Sequence, residues 1–354
     1  MPERNKIEGR KKERDSKYEL LRIIAMAAIT LNHAPVSADA LALNMYLRKF
    51  FFVGGKFGSY LFVIIGAWFL AGSEKWSAKG IVKIILQTVF YGVLLDLVCM
   101  VIYGGIGIKQ FLSGFNYWFC FSYVFMLLVW PLLRRIPDRE QIVIAAAGAA
   151  AGAGVTALGY LRPDFILIKA LSKGIIIGPL SFCYAFIVVC VLRRHWKALN
   201  ARIKPAGWFM LYLIGYLIMF LGLVALEGSH IRDLQSPVCL LSAIGLFGFV
   251  SNLNVGYHER INRIAGYMFG MYLFQTHRLF SEVLWKKIFP SAVISEKSVL
   301  WFAGVFAVTI GIFAGTLLSE TVRRRLMDTG PAAFVNEKLT SAVDIVVRGI
   351  FRYS

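Results

Sequence analysis

From residue 18 onward, long apolar blocks alternate with short polar stretches that hold most of the charges. Each block runs about 17–23 residues, the length with which an α-helix crosses a hydrocarbon core of roughly 30 Å. Helices are therefore expected at about 18–37, 50–72, 80–103, 114–134, 141–160, 173–193, 207–227, 236–251, 264–285 and 298–320. The pattern predicts an all-α integral membrane protein, a bundle of about ten transmembrane helices spanning residues 18–322. A basic arm, residues 1–17, precedes it. A tail, residues 323–354, follows, with Phe334, Val335, Leu339, Val343, Val346 and Ile350 at helical spacing, as expected of a helix lying on a membrane surface.

Composition agrees with the pattern. The 354 residues are 58% hydrophobic and 17% charged, with a mean hydropathy of +0.65; a soluble domain of this length carries about a quarter charged residues. The formal net charge of +19 raises the question of nucleic acid, but the cations sit at block edges, as positive-inside topology requires, and no nucleic-acid partner is expected. Clusters such as Arg134/Arg135/Arg139, Arg193/Arg194/Lys197 and Arg323/Arg324/Arg325 fall on one side of the alternation. That side is assigned to the cytoplasm, together with both termini, in a multi-pass protein of the cell membrane. A basic arm, an apolar run and Ala38-Asp39-Ala40 resemble a signal peptide, but Arg22 interrupts the run. The first block is read as a retained helix. Cys99, Cys120, Cys183, Cys190 and Cys239 lie inside apolar blocks without metal or redox spacing, so neither a disulfide nor a metal centre is expected. The small-residue spacing of Gly148 and Gly152 reads as close helix packing.

Ionisable groups inside a spanning helix are costly and normally face the bundle interior, which makes them the place to look for chemistry. The first helix carries Glu19, Arg22 and His33. Arg22 and His33 are eleven residues apart, so they share a face and stand about 16 Å apart along the axis. Arg22 can hold a phosphate of an activated donor, and His33, deeper, can take a proton from an acceptor hydroxyl. Snorkelling and a structural histidine are the competing readings of the two. Lys79 and Lys83 begin the third helix on the side of Arg22, as further anion ligands or as an ordinary basic flank. Trp118 and Tyr123 lie in an aromatic run that suits an interfacial belt or a sugar platform. Gln275 and His277, with Thr276 and Arg278, form a polar cluster in an apolar stretch and suit the lining of a cavity. Asp96 is read as the partner of a bundle cation.

The run Tyr18 to His33 (YELLRIIAMAAITLNH) resembles the opening of the membrane-bound acyltransferase 3 family. More narrowly, it resembles the branch attributed to bacterial exopolysaccharide and cell-wall O-acetylation, whose pattern of an arginine and a histidine with ten residues between them is matched by Arg22 and His33. Gly58 to Leu70 is similar to the family's second helix, with Gly66-Ala67 where a Ser-Gly pair is common. Trp118, Phe119, Tyr123 and Pro131 carry a further pattern, and Ser236 to Phe249 with Ile264 to Phe274 is similar to the late helices. Where the family often has a histidine three residues after a late tyrosine, this chain has Gln275, with His277 two positions on. The resemblance implies an acyl donor, acetyl-CoA or another acyl-CoA, no permanently bound cofactor, and a hydroxyl acceptor on a cell-surface or lipid-linked glycan. Polysaccharide-assembly proteins and membrane lipids are the implied partners. The competing functions are a transporter or flippase of a lipid-linked saccharide, which would favour repeats and broken helices, and a noncatalytic scaffold.

Overall fold

The computed structural model describes residues 15–34, 42–165, 174–226, 228–288 and 298–351. The arm before residue 15 and the Ala38-Asp39-Ala40 stretch lie outside them. Among the described residues the regular structure is helical throughout: α1 (Ser16–Asn32), α2 (Ala42–Ala71), α3 (Lys79–Tyr103), α4 (Ile108–Ser113), α5 (Trp118–Arg135), α6 (Asp138–Leu161), α7 (Gly174–Arg194), α8 (Trp196–Arg202), α9 (Pro205–Ala225), a 3-10 turn (His230–Arg232), α10 (Pro237–Ser251), α11 (Glu259–Ala265), α12 (Met268–Thr276), α13 (Arg278–Glu282), a π turn (Val283–Ile288), α14 (Ser298–Met327) and α15 (Gly330–Phe351).

Seven of these helices, α2, α3, α5, α6, α7, α9 and α14, are long and apolar enough to cross a membrane. Their outward faces are what lipid requires: on α3, Leu97 is 50% and Val101 84% exposed, while Gln87, Tyr91, Leu95 and Cys99 on the opposite face are buried. The other three expected helices differ. α1 has 17 residues and α10 has 15, giving about 22–26 Å at 1.5 Å per residue, short of a full crossing. The ninth, expected as one helix over 264–285, is divided into α11, α12 and α13, with His277 extended (φ −59°, ψ 127°) at the last junction.

Short α1 is held deep by glycine contact. A Cβ on Gly58 of α2 would lie 2.6 Å from the Ala25 carbonyl oxygen, and one on Gly54 2.8 Å from that of Ala28, so only glycine permits this approach. The start of α1 is tied down as well. Asp15 caps it by accepting from the Lys17 backbone N–H at 3.1 Å, and Ser16 Oγ accepts from the His258 N–H at 2.7 Å. Burial raises the Asp15 carboxyl, but the hydrogen bonds and charge of Lys17 outweigh it and leave the group below its ordinary value.

The tail helix α15 returns to the turn before α3. Asp344 accepts from the Ala78 N–H at 2.7 Å, and Arg348 donates to the Trp76 carbonyl at 3.1 Å. The N-cap position of α3 is Ala78, which has no capping side chain of its own. Asp344 supplies the missing acceptor from more than 260 residues away, with its negative charge at the positive end of the helix.

Candidate functional site

α1 organises the site along its length. At the end of the bundle where α1 begins, Arg22 lines an open cavity of about 460 Å3 together with Lys83, Gln87, Gly66, Tyr123 and Phe269, within the size range of small-molecule sites. Arg22 is half-buried and its Nη1 donates to both oxygens of buried Glu19, at 2.6 and 2.7 Å. The carboxylate sets the guanidinium in one orientation, a pre-organised fork. Lys83 is exposed at the cavity wall, whereas Lys79, one turn earlier, is exposed and does not line it. Behind the cavity, Gln87 donates to Glu320 of α14 at 2.6 Å. Glu320 in turn accepts from Arg323 at 3.1 Å, and Arg323 reaches Asp328 at 2.9 Å. Sequence reading treated Arg323 only as a flank cation and passed over Glu320, whose single acidic letter at the end of an apolar block was the available signal.

Tyr123 enters the cavity one and a half turns into α5, stacked on Phe119 with ring centroids 5.7 Å apart. Its hydroxyl occupies the space a Cβ on Gly66 would fill. The glycine at the position where the resembled pattern has a serine thus makes room for the tyrosine.

One floor further along α1, Gln275 of α12 donates to Thr30 Oγ1 at 2.9 Å and approaches Met26 Sδ at 3.2 Å. Thr30 gives its own proton to the Met26 carbonyl, so it can only accept from Gln275, which fixes the amide orientation. Gln275 Oε1 is left buried without a partner. Gln275 is therefore placed between Arg22 and His33, facing α1, as a fixed acceptor.

His33 closes α1 as its C-terminal cap. It is half-buried, and its Nδ1 is buried without a hydrogen-bond partner. Arg48 and Lys56 of α2 and Arg232 of the 3-10 turn all lie within electrostatic reach of the imidazole. Lys56 Nζ stands 3.9 Å over the Trp118 ring, which brings Trp118 to the His33 floor rather than to the cavity around Arg22. Burial pushes the Arg232 guanidinium down to about 10, against the pull of Asp233, and it stays charged at neutral pH. Sequence reading missed Arg48, Lys56 and Arg232; Arg48 and Arg232 pass for flank or loop cations, whereas Lys56, inside the expected 50–72 helix, was an available signal.

His277 goes elsewhere. Its ring is fully buried, with Nε2 3.4 Å from Asp96 Oδ1 of α3. Its Nδ1 accepts from the Phe280 N–H at 3.2 Å, which leaves the proton on Nε2, toward the carboxylate. Gly114 packs so closely on the pair that a Cβ there would strike both groups. The pair pins the α12–α13 junction to α3, and His277 does not line the cavity. The neighbour of Asp96 among the described residues is thus a neutral imidazole rather than the bundle cation expected for it.

Comparison with known proteins bears on the whole span. No curated protein and no solved structure matches the chain. Residues 15–319 match the acyltransferase domain that defines the acyltransferase 3 family, an interval that contains Arg22, Lys83, Tyr123, Gln275 and His33. The chain belongs to that family, and it is a membrane acyltransferase.

Proposed function

We propose that the protein is a multi-pass O-acyltransferase of the cell membrane with both termini in the cytoplasm, the short α1 and α10 and the divided α11–α13 segment bringing the seven long helices to about ten passes. It moves an acyl group, acetyl in the simplest case, from cytoplasmic acetyl-CoA or another acyl-CoA to a hydroxyl of a cell-surface or lipid-linked glycan. The observation that carries the reading is the ladder on α1: Arg22 at an open cavity, Gln275 locked midway, and His33 three turns on.

Arg22 and Lys83 hold the donor's phosphates at the cytoplasmic mouth, Arg22 by paired N–H contacts and Lys83 as a point charge. The neutral pantetheine arm then runs past Tyr123 toward Gln275, whose free Oε1 can accept from one of its amide N–H groups. At the far floor, His33 takes the proton of the glycan hydroxyl as that oxygen attacks the thioester carbonyl carbon. The carbon–sulfur bond breaks, and the thiolate leaves with the proton that His33 returns. Trp118 offers the acceptor sugar a flat face. The division of α11–α13 is of the kind transporters use, but here it is closed by the Asp96–His277 pair rather than opened to a pathway. Enzyme is accordingly favoured over flippase.

The test is CoA release and acyl transfer from labelled acetyl-CoA by purified protein in nanodiscs. His33→Ala is expected to lose about 10²–10⁴ in rate with unchanged thermal unfolding. Undiminished transfer in that variant sinks the mechanism, and a folded wild type that neither binds nor turns over any acyl-CoA moves the assignment to the transporter.

A further inference from the structure

The outer floor holds more positive charge than the transfer of a neutral acyl group to a neutral sugar needs. Arg48, Lys56 and Arg232 come from two turns of α2 and a distant connection, yet all three lie within electrostatic reach of His33. Among the described residues the carboxylate facing them is Asp233, which interacts with Lys56 and Arg232. No carboxylate oxygen of the described residues lies within ion-pair distance of Arg48, Lys56 or Arg232. Arg48 and Arg232 instead lie over the Phe52 ring at 4.5 and 3.4 Å, and Lys56 over Trp118. Arg232 is 7% exposed and its Nε is buried without a hydrogen-bond partner. Its Nη1 donates to Asn32 Oδ1, the residue before His33, at 3.0 Å and also to the Phe52 carbonyl. Aromatic faces hold cations in place without neutralising them. With Asp233 the one carboxylate facing them among the described residues, the three cations outnumber their counter-charge, and buried excess charge is expensive and normally balanced.

We propose that Arg48, Lys56 and Arg232 form an anion subsite around His33, so that the acceptor is an acidic glycan whose carboxylate or phosphate docks there beside the hydroxyl to be acylated. The inference rests on the acyltransfer reading and adds the substrate class. The donor's own phosphates do not serve this subsite in the same complex. They are held at Arg22 and Lys83, about 16 Å of helix rise away, and the arm between them and the thioester is uncharged.

The experiment uses the full chain in phosphatidylcholine nanodiscs and three labelled probes: methyl glucuronide, methyl glucoside 6-phosphate and neutral methyl glucoside. Equilibrium dialysis should show at least one anionic probe binding tenfold or more tighter than the neutral one. In Lys56→Met that ratio should fall to within about twofold of unity, and Lys56→Arg should restore it; Arg48→Met, on a different turn of α2, provides the same reading if Lys56→Met does not fold. A wild type that binds neither anion better than the neutral sugar overturns the subsite, as does a preference that survives both methionine variants. Loss of the preference when phosphatidylglycerol replaces phosphatidylcholine would show that a lipid headgroup takes the subsite, and overturns the acceptor assignment. CoA release measured alongside separates the two proposals. His33-dependent release without anion preference removes the subsite alone; anion preference without release removes the transfer chemistry alone.

Discussion

At the residue scale, two contacts decide how the cavity is shaped, and both turn on a single atom. The Tyr123 hydroxyl sits where a Cβ on Gly66 would be. Gly66→Ala is therefore expected to push the tyrosine off its stack with Phe119 and to raise the KM for acyl-CoA several-fold. Tyr123→Phe in the same background should recover part of the loss, because it removes the atom that clashes. Arg22→Lys keeps the charge and loses the fork; a KM increase of about tenfold with little change in thermal stability is expected, measured by CoA release. The Arg22–His33 spacing was readable in the sequence because one helix carries both residues and helical geometry fixes their relation. Gln275 was readable only as a polar letter in an apolar stretch. That its amide is oriented by Thr30, from a helix some 245 positions earlier, depends on packing that no local pattern encodes.

At the element scale, the division of the expected 264–285 helix was not legible, because neither proline nor glycine stands at the His277 junction. The break is made by tertiary partners. His277 spends its Nδ1 on the Phe280 N–H and sets its Nε2 3.4 Å from Asp96 Oδ1, with Gly114 packed against both groups. Because the two groups are buried together, a double-mutant cycle of Asp96→Asn and His277→Gln should show coupling of about 0.5–3 kcal/mol in unfolding; additive effects would reduce the pair to a bystander of the break. α3 offers a second case. Its periodicity announced the helix, and Lys79 and Lys83, four apart, shared a side as expected, but of the two only Lys83 lines the cavity, beside Gly80, Ile84 and Gln87. Its N-terminal cap was only partly visible locally: Ser77 Oγ accepts from the Lys79 N–H at 3.2 Å, but the acceptor for the Ala78 N–H is Asp344, brought from the tail. Asp344→Ala should cost about 1 kcal/mol in thermal stability and loosen Gly80 and Lys83 at the cavity mouth, detectable as faster amide exchange in the first turn of α3.

At the scale of the whole molecule, the proposed chemistry calls for two doors. The cavity at Arg22 opens where α1 begins, α2 ends and α3 begins. Arg48, Lys56 and Trp118 gather at the opposite end of α1, where it stops at His33. Long apolar blocks made the membrane bundle legible. The outer floor was not, because its cations come from positions 48, 56 and 232: Arg48 and Arg232 each satisfy the rule for a loop flank, and Lys56, a single cation inside the 50–72 block, gives no hint of its partners. On the proposed function, a transferase so arranged would take its donor from one side of the membrane and its acceptor from the other, without moving either substrate across. That can be measured directly in a cysteine-free background carrying Lys83→Cys or Arg48→Cys, in sealed vesicles of known orientation. A membrane-impermeant maleimide is expected to label position 83 only from the cytoplasmic face and position 48 only from the outer face. Acetyl-CoA should protect position 83 by several-fold and leave position 48 reactive. Protection of both by the donor would place CoA across the whole bundle and remove the room for a separate acceptor entry; labelling of both from one face would abolish the two-sided arrangement, and exchange of the two faces would invert the orientation drawn from the charge clusters.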